Sequence, residues 1–245
     1  MATFRNASFA RIIEGGLKRS AQILEEADVE FLLIGSLSAW ALGGPESSHD
    51  LDFGIREEDA VKAAEAFLSA GWHVTWVPEN WLIKAWVGDP DTEDAILIDL
   101  IYAPSGIKIG PEVFSRAKKV DVLAHMFWVL DPTDLLTMKV MSIKEPNVNY
   151  TSTLATARSI REQVDWELLR KRTEHSPFAA AFFVMCEQLG VIHKGAPVDI
   201  ISEMHRDKVV GVSESRRAII DFIRENQLPI GDPTVKAAED EAAKF

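Results

Sequence analysis

Ile12, Ile13, Leu17, Ala21 and Leu24 recur at helical spacing and predict an amphipathic helix over residues 6–27. A short apolar run, Phe31-Leu32-Leu33-Ile34, stops at Gly35 and reads as a buried strand. Leu37 to Leu42 follows as a short helix closed by Gly43-Gly44-Pro45. Leu51, Phe53 and Ile55 then alternate with Asp50, Asp52 and Gly54, the period-two pattern of a strand. Glu57 to Ala70 reads as a helix with Gly71 at its cap. Trp72 to Trp76 and Trp81 to Val87 are expected strands. The acidic loop Asp89-Pro90-Asp91-Thr92-Glu93-Asp94 leads into Ala95 to Tyr102, a strongly apolar strand with Asp99 inside it. Lys119 to Leu123 and Met126 to Leu130 are expected to pair as a hairpin.

The pattern changes at Asp131. Asp131-Pro132-Thr133-Asp134 is a helix start with Pro in the first turn. Helical periodicity follows over 133–144, 150–162, 165–173, 177–188 and 213–226, and the polar, Ala-rich tail after Pro229 reads as frayed. No internal repeat is visible. The expected fold is α+β: a mixed-sheet domain over residues 1–130 and a helical domain over 131–245, with the site in the cleft between them.

Composition narrows the class of protein. The chain has 245 residues, 47% of them hydrophobic and 26% charged, enough for a sizeable core and not the composition of a disordered chain. The formal net charge is -12. Residues 1–130 hold 11 Lys and Arg against 20 Asp and Glu, so most of the acidity lies in the first half. Such a chain does not attract nucleic acid through its overall field, whereas a cation-binding site produces acidity of this kind. The N-terminal residues lack a long apolar core, and no apolar run approaches the roughly 20 residues that span a bilayer. No membrane association and a cytoplasmic location are therefore expected. Cys186 is the only cysteine and sits in an apolar run, which excludes an intrachain disulfide.

The acidic residues carry the candidate chemistry. In a strand, Asp50 and Asp52 point to the same face, roughly 6–7 Å apart. Two unshared carboxylates repel, and a divalent cation between them removes the repulsion with the oxygen ligands that Mg²⁺ or Mn²⁺ accepts. Asp99, between Ile96-Leu97-Ile98 and Leu100-Ile101, is costly to bury unless paired or metal-bound. If its strand lies beside the Asp50–Asp52 strand, three carboxylates converge and suit two-metal phosphoryl transfer. The alternative for Asp50 and Asp52 is a solvated strand face. For Asp99 it is a strand-end residue paired with a lysine. Gly35-Ser36 ends a strand and opens a helix, where backbone N–H groups and a hydroxyl cradle phosphate; read alone, it is equally a plain strand-to-helix turn.

The order of these pieces resembles the DNA polymerase β-type nucleotidyltransferase superfamily over about residues 30–102. Leu33-Ile34-Gly35-Ser36-Leu37-Ser38-Ala39 looks like its phosphate motif, His49-Asp50-Leu51-Asp52-Phe53 like its metal motif, and Ile98-Asp99-Leu100 like its third-carboxylate strand. Leu135-Leu136-Thr137-Met138-Lys139 looks like the lysine helix of the bacterial AbiEii/MenT-like branch, whose members include toxins that add nucleotides to tRNA ends. The resemblance implies transfer of a nucleoside monophosphate from an NTP to an acceptor hydroxyl. Asp50, Asp52 and Asp99 are then the metal-binding and catalytic residues, and Gly35, Ser36 and Lys139 bind the triphosphate. The acceptor is open: an RNA end, a small molecule or a protein hydroxyl.

Glu46 and Ser48 stand where relatives often carry an arginine and a threonine. Around Asn149-Tyr150-Thr151-Ser152 the chain lacks the Asp of toxin-type members, with Asp165 a distant substitute. These departures keep open a second reading, a nucleotidyltransferase-fold binding or regulatory module without turnover. A third is a metal-dependent phosphohydrolase. Trp72, Trp76, Trp81 and Trp86 read as sheet residues or, alternatively, a base-stacking surface. Arg158, Arg161, Arg170, Lys171 and Arg172 read as a solvated face or an RNA contact. The histidines show no zinc-ligand spacing.

Overall fold

The computed structural model describes residues 12–45, 50–78, 80–92 and 94–192. Outside them lie residues 6–11 of the expected first helix, Glu46, Ser48, His49, the expected helix 213–226 and the tail after Pro229. The backbone groups into two compact units, Met1–Ala179 and Ala180–Phe245.

The first unit holds a mixed seven-stranded sheet. Helix α1 is a π-turn, Ile13–Leu17, running into the α-helix Lys18–Glu26. Then come β1 (Phe31–Leu33), α2 (Gly35–Ala41), β2 (Leu51–Ile55), α3 (Ala60–Ser69), β3 (His73–Trp76), β4 (Leu82–Val87), β5 (Ile96–Ile101), α4 (Pro111–Arg116), β6 (Lys118–Val122) and β7 (His125–Val129). Helices α5 (Pro132–Met141), α6 (Thr151–Ile160), α7 (Trp166–Thr173) and α8 (Pro177–Gln188) follow. The strand order is β3-β4-β5-β2-β1-β7-β6. β2–β5 and β1–β7 are parallel, and the remaining pairs are antiparallel. The fold is α+β, as the sequence pattern indicates.

Residues paired across strands share a face. One face carries Ala85, Ile98 and Leu51 in one row and Ile83, Leu100, Phe53 and Leu33 in the next, all fully buried. Helix α1 lies against it with Gly15 and Gly16. A Cβ at Gly15 would come within 2.7 Å of Ile96 Cδ1, and one at Gly16 within 2.7 Å of Leu51 Cδ1. This close approach, with a wider π-turn at the glycine pair, is why the helix is not regular from its start. The opposite face carries the row Thr75, Lys84, Asp99, Asp52. In the central strands Lys84, Asp99 and Asp52 therefore lie together on the face away from α1.

Helix α4 was not legible from periodicity: six residues are too few, although Gly110 and Pro111 supply an N-terminal start signal. Its Arg116 has a defined partner. Asp134, in the first turn of α5 and fully buried, accepts hydrogen bonds from Arg116 Nε at 3.0 Å and Nη2 at 3.1 Å, and also from Arg172 of α7. One carboxylate thus joins three helices. Removing a buried partner leaves uncompensated charge, so Asp134→Ala is expected to cost about 3 kcal/mol, the lower end of the range because both arginines keep contact with water. Urea unfolding measures this; a loss below about 1 kcal/mol would make the cluster equivalent to a surface pair.

Of the second unit, the described residues 180–192 carry most of α8, where the rings of Phe182 and Phe183 meet edge to face at 5.5 Å and Cys186 is buried.

Candidate active site

The site is assembled where β1 ends and β2 and β5 run side by side. The parallel register places Asp52 opposite Asp99. Asp50 lies one residue before β2, on the same side as Asp52. Each of Asp50, Asp52 and Asp99 offers a carboxylate oxygen within 4.8 Å of the others. Asp99 is mid-strand and 6% exposed, which sets aside the strand-end alternative. The lysine partner is nevertheless real. Lys84, opposite Asp99 on β4, places Nζ 3.1 Å from Oδ1 and 3.4 Å from Oδ2.

Gly35 is required twice over. Its φ is +60°, in the left-handed region, and a Cβ there would overlap Asp52 Oδ2 and lie 2.7 Å from Asp52 Cγ. The Ser36 backbone N–H donates to Asp52 Oδ2 at 3.4 Å. The turn and the carboxylate are therefore one unit, the turn's amide polarising the acid it touches. Gly35→Ala is expected to lower stability by about 1–2 kcal/mol from backbone conformation alone. It is further expected to displace Asp52 and abolish transfer. Thermal melting with a transfer assay reads both, and an active variant with an unchanged melt would show that the turn tolerates a Cβ.

Burial sets the electrostatics. Asp52 is pushed up to about 8 by burial first, then by the charges of Asp50 and Asp99. The Ser36 amide and Lys139 oppose the shift. Asp99 is raised to about 6 by burial, with a hydrogen bond and charge from Asp50 adding to the rise and Lys84 holding it down. Lys139, in the last turn of α5, is lowered by burial and pulled back by Asp52. Helix α5 thus brings Lys139 within electrostatic reach of Asp52. These are carboxylates whose charge is costly in the protein alone. A divalent cation relieves that cost, and the donor set is all oxygen, which fits Mg²⁺ or Mn²⁺.

Other residues fall elsewhere. Asn149 Oδ1 accepts from Thr151 N at 2.9 Å at the start of α6, and Asp165 Oδ1 accepts from Leu168 N at 2.9 Å as the cap of α7. Asp165 is the N-cap of α7, whereas Asn149 makes a turn one residue ahead of the α6 N-cap, Tyr150. In the basic segment, Arg172 is bound to Asp134 and Arg161 Nε to Glu162 at 2.9 Å. Trp72 is buried, while Trp76 and Trp81 are exposed near the β3 edge of the sheet. Sequence reading missed Lys84. Its signal is a lone charge within the apolar strand Leu82–Val87, the same signal that marked Asp99.

A Gly-Ser turn packed on an Asp-x-Asp strand, with a third Asp on the parallel neighbour, defines a nucleotidyltransferase, the class to which this chain is assigned. The chain belongs to the DUF2204 family, described as nucleotidyl transferases of unknown function, whose model matches residues 14–186. No curated protein matches the chain in sequence. Among solved structures it is similar to an antigenic nucleotidyltransferase-like protein from Paracoccidioides brasiliensis, at 11% identity over 70% of this chain and 92% of that one, TM-score 0.44. It is also similar to the lincosamide antibiotic adenylyltransferase LnuA, lincomycin-bound, at 12% identity over 60% and 97%, TM-score 0.43. A third is ANT(2")-Ia in complex with adenylyl-2"-tobramycin, at 11% identity over 71% and 99%, TM-score 0.47. No helix among the described residues is long and apolar enough to cross a membrane.

Proposed function

We propose that the chain transfers a nucleoside monophosphate from an NTP to an acceptor hydroxyl with release of pyrophosphate, in a reaction that depends on Mg²⁺ or Mn²⁺. The observation that supports it most is the convergence of Asp50, Asp52 and Asp99 within 4.8 Å beside the Gly35-Ser36 turn. Asp50 and Asp52, with Asp99 beside them, are the residues that would hold the cation. When bound, the cation supplies charge neutralisation at the reacting phosphate and its leaving oxygen.

The protein groups do the rest. The Gly35 amide and the Ser36 hydroxyl hold the non-transferring phosphates, while the Ser36 amide holds Asp52. Lys139 contributes one positive charge to the triphosphate. Asp99 receives the proton of the acceptor hydroxyl; a carboxylate raised to about 6 is a better base than an ordinary one and remains mostly ionised at pH 7.

The acceptor belongs to an RNA end, a small molecule or a protein. A net charge of -12 weighs against a long RNA, since each added phosphate meets an acidic chain. Kinship with the AbiEii/MenT-like branch, a toxin-like action on tRNA and a cytoplasmic location belong to this reading. Asn149 makes a turn ahead of α6 and Asp165 caps α7, so the toxin-type Asp has no counterpart there among the described residues. The test is incubation with each α-labelled NTP, Mg²⁺ or Mn²⁺, and RNA, protein and metabolite pools in turn. Label in one pool, dependent on metal and absent in Asp50→Ala, is expected. Metal-dependent NTP binding without label transfer would instead support a binding module, and phosphate release without an acceptor a phosphohydrolase.

A further inference from the structure

We propose that Lys84 restricts this site to a single divalent cation, held by Asp50 and Asp52, by keeping its ammonium group on Asp99. The inference rests on the metal-dependent reading of the same site and concerns how many ions it takes.

Three observations carry it. First, Lys84 Nζ reaches both oxygens of Asp99, at 3.1 and 3.4 Å, so neither oxygen is left without a positive neighbour. Second, the approach is fixed by the backbone. β4 and β5 pair without interruption from Leu82↔Ile101 to Val87↔Ile96, and Lys84 is the residue opposite Asp99. The row continues to Asp52 on β2, so Lys84, Asp99 and Asp52 follow one another across three strands. Third, the pair is sheltered at the acid: the Asp99 side chain is 8% exposed and the Lys84 side chain 32%.

In two-metal phosphoryl-transfer sites the ions stand about 3.5–4 Å apart. A second ion here would need an Asp99 oxygen as a ligand. That oxygen already has an ammonium nitrogen beside it, and a double charge and a single charge at about 4 Å repel by several kcal/mol even at an effective dielectric of 20. Lysine suits the place because it is a compact point charge with three donors. Its ammonium supplies one positive charge at Asp99 without occupying a coordination position on Asp50 or Asp52. Lys139 does not act in the same way: its electrostatic partner is Asp52.

The test is a Mn²⁺ titration of the full chain followed by electron paramagnetic resonance, with Mn²⁺ alone as the probe. The samples are the parent protein, Lys84→Met and Lys84→Arg, each first shown to melt cooperatively. The parent and Lys84→Arg are expected to bind one Mn²⁺ with an uncoupled spectrum. Lys84→Met is expected to bind two with a spin-coupled spectrum, its second site at least about tenfold tighter than any second site in the parent, as befits loss of one adjacent positive charge. Two ions in the parent would overturn the inference and leave metal dependence intact. One ion in both parent and Lys84→Met would also overturn it, because Lys84 would not be what limits the count. No bound Mn²⁺ in any of the three would overturn both this inference and the metal-dependent reading.

Discussion

Asp52→Asn is expected to abolish nucleotidyl transfer and, in the metal-free protein, to raise the melting temperature at pH 8. Both effects come from one carboxylate. Asp52 lies against Gly35, accepts from the Ser36 amide and faces Asp50 and Asp99, so its charge is crowded by two like charges in a partly buried place. Its proton affinity in the fold rises from an ordinary 3.8 to about 8. The folded chain therefore binds more protons than the unfolded chain between those values, and stability falls as pH rises through that window. Above pH 8 the whole destabilisation is present. Each pKa unit corresponds to about 1.4 kcal/mol, and relaxation of a partly exposed site leaves on the order of 2 kcal/mol for asparagine to recover. Melting from pH 5 to 8.5 in chelator should show the parent losing stability with pH along a steeper line than the variant. Saturating Mg²⁺ should stabilise the parent most at the alkaline end and the variant little. A variant that melts lower than the parent at pH 8, or that still transfers, would show that Asp52 is held for structure and not for a cation.

Much of the site is legible in the sequence because its residues break local rules. Asp99 stands in an apolar strand, Asp50 and Asp52 crowd one strand face, and Gly35 interrupts an apolar run at a strand end; each is unfavourable locally and is resolved only by what it meets in the fold. Periodicity also marks most strands and helices, including the Lys118–Val122 and His125–Val129 hairpin. It does not give neighbours. That β5 lies beside β2 and β4 follows from long-range pairing, so the convergence of Asp99 with Asp52 was conditional and the partnership of Asp99 with Lys84 was not identified. The same limit hides Asp134, whose partners Arg116 and Arg172 lie 18 and 38 residues away. The cap at Asp165 and the turn at Asn149 are local, but such residues and a catalytic acid use the same residue types, and only geometry separates them.

Asp99→Asn is expected to lower the transfer rate by about 10³-fold or more while leaving NTP affinity within a few-fold of the parent, the scale of a lost general base. Asparagine keeps the size and one oxygen for Lys84 but can neither take a proton nor carry the charge. On the proposed reading the triphosphate contacts lie with Gly35, Ser36 and Lys139 and the cation with Asp50 and Asp52, so binding should survive. The fold should survive too: Asp99 is buried with its pKa raised to about 6, so the metal-free protein gives up little when the charge is removed. A catalytic role and a structural one therefore separate in a paired measurement on one variant, NTP affinity by calorimetry and transfer by label incorporation. Retention of both would show that Asp99 does not touch the reaction and would favour the binding module. Loss of both, together with the cooperative melt, would show that the Lys84–Asp99 pair holds β4 to β5. Loss of transfer with affinity intact is what distinguishes an enzyme that uses Asp99 from a fold that merely contains it.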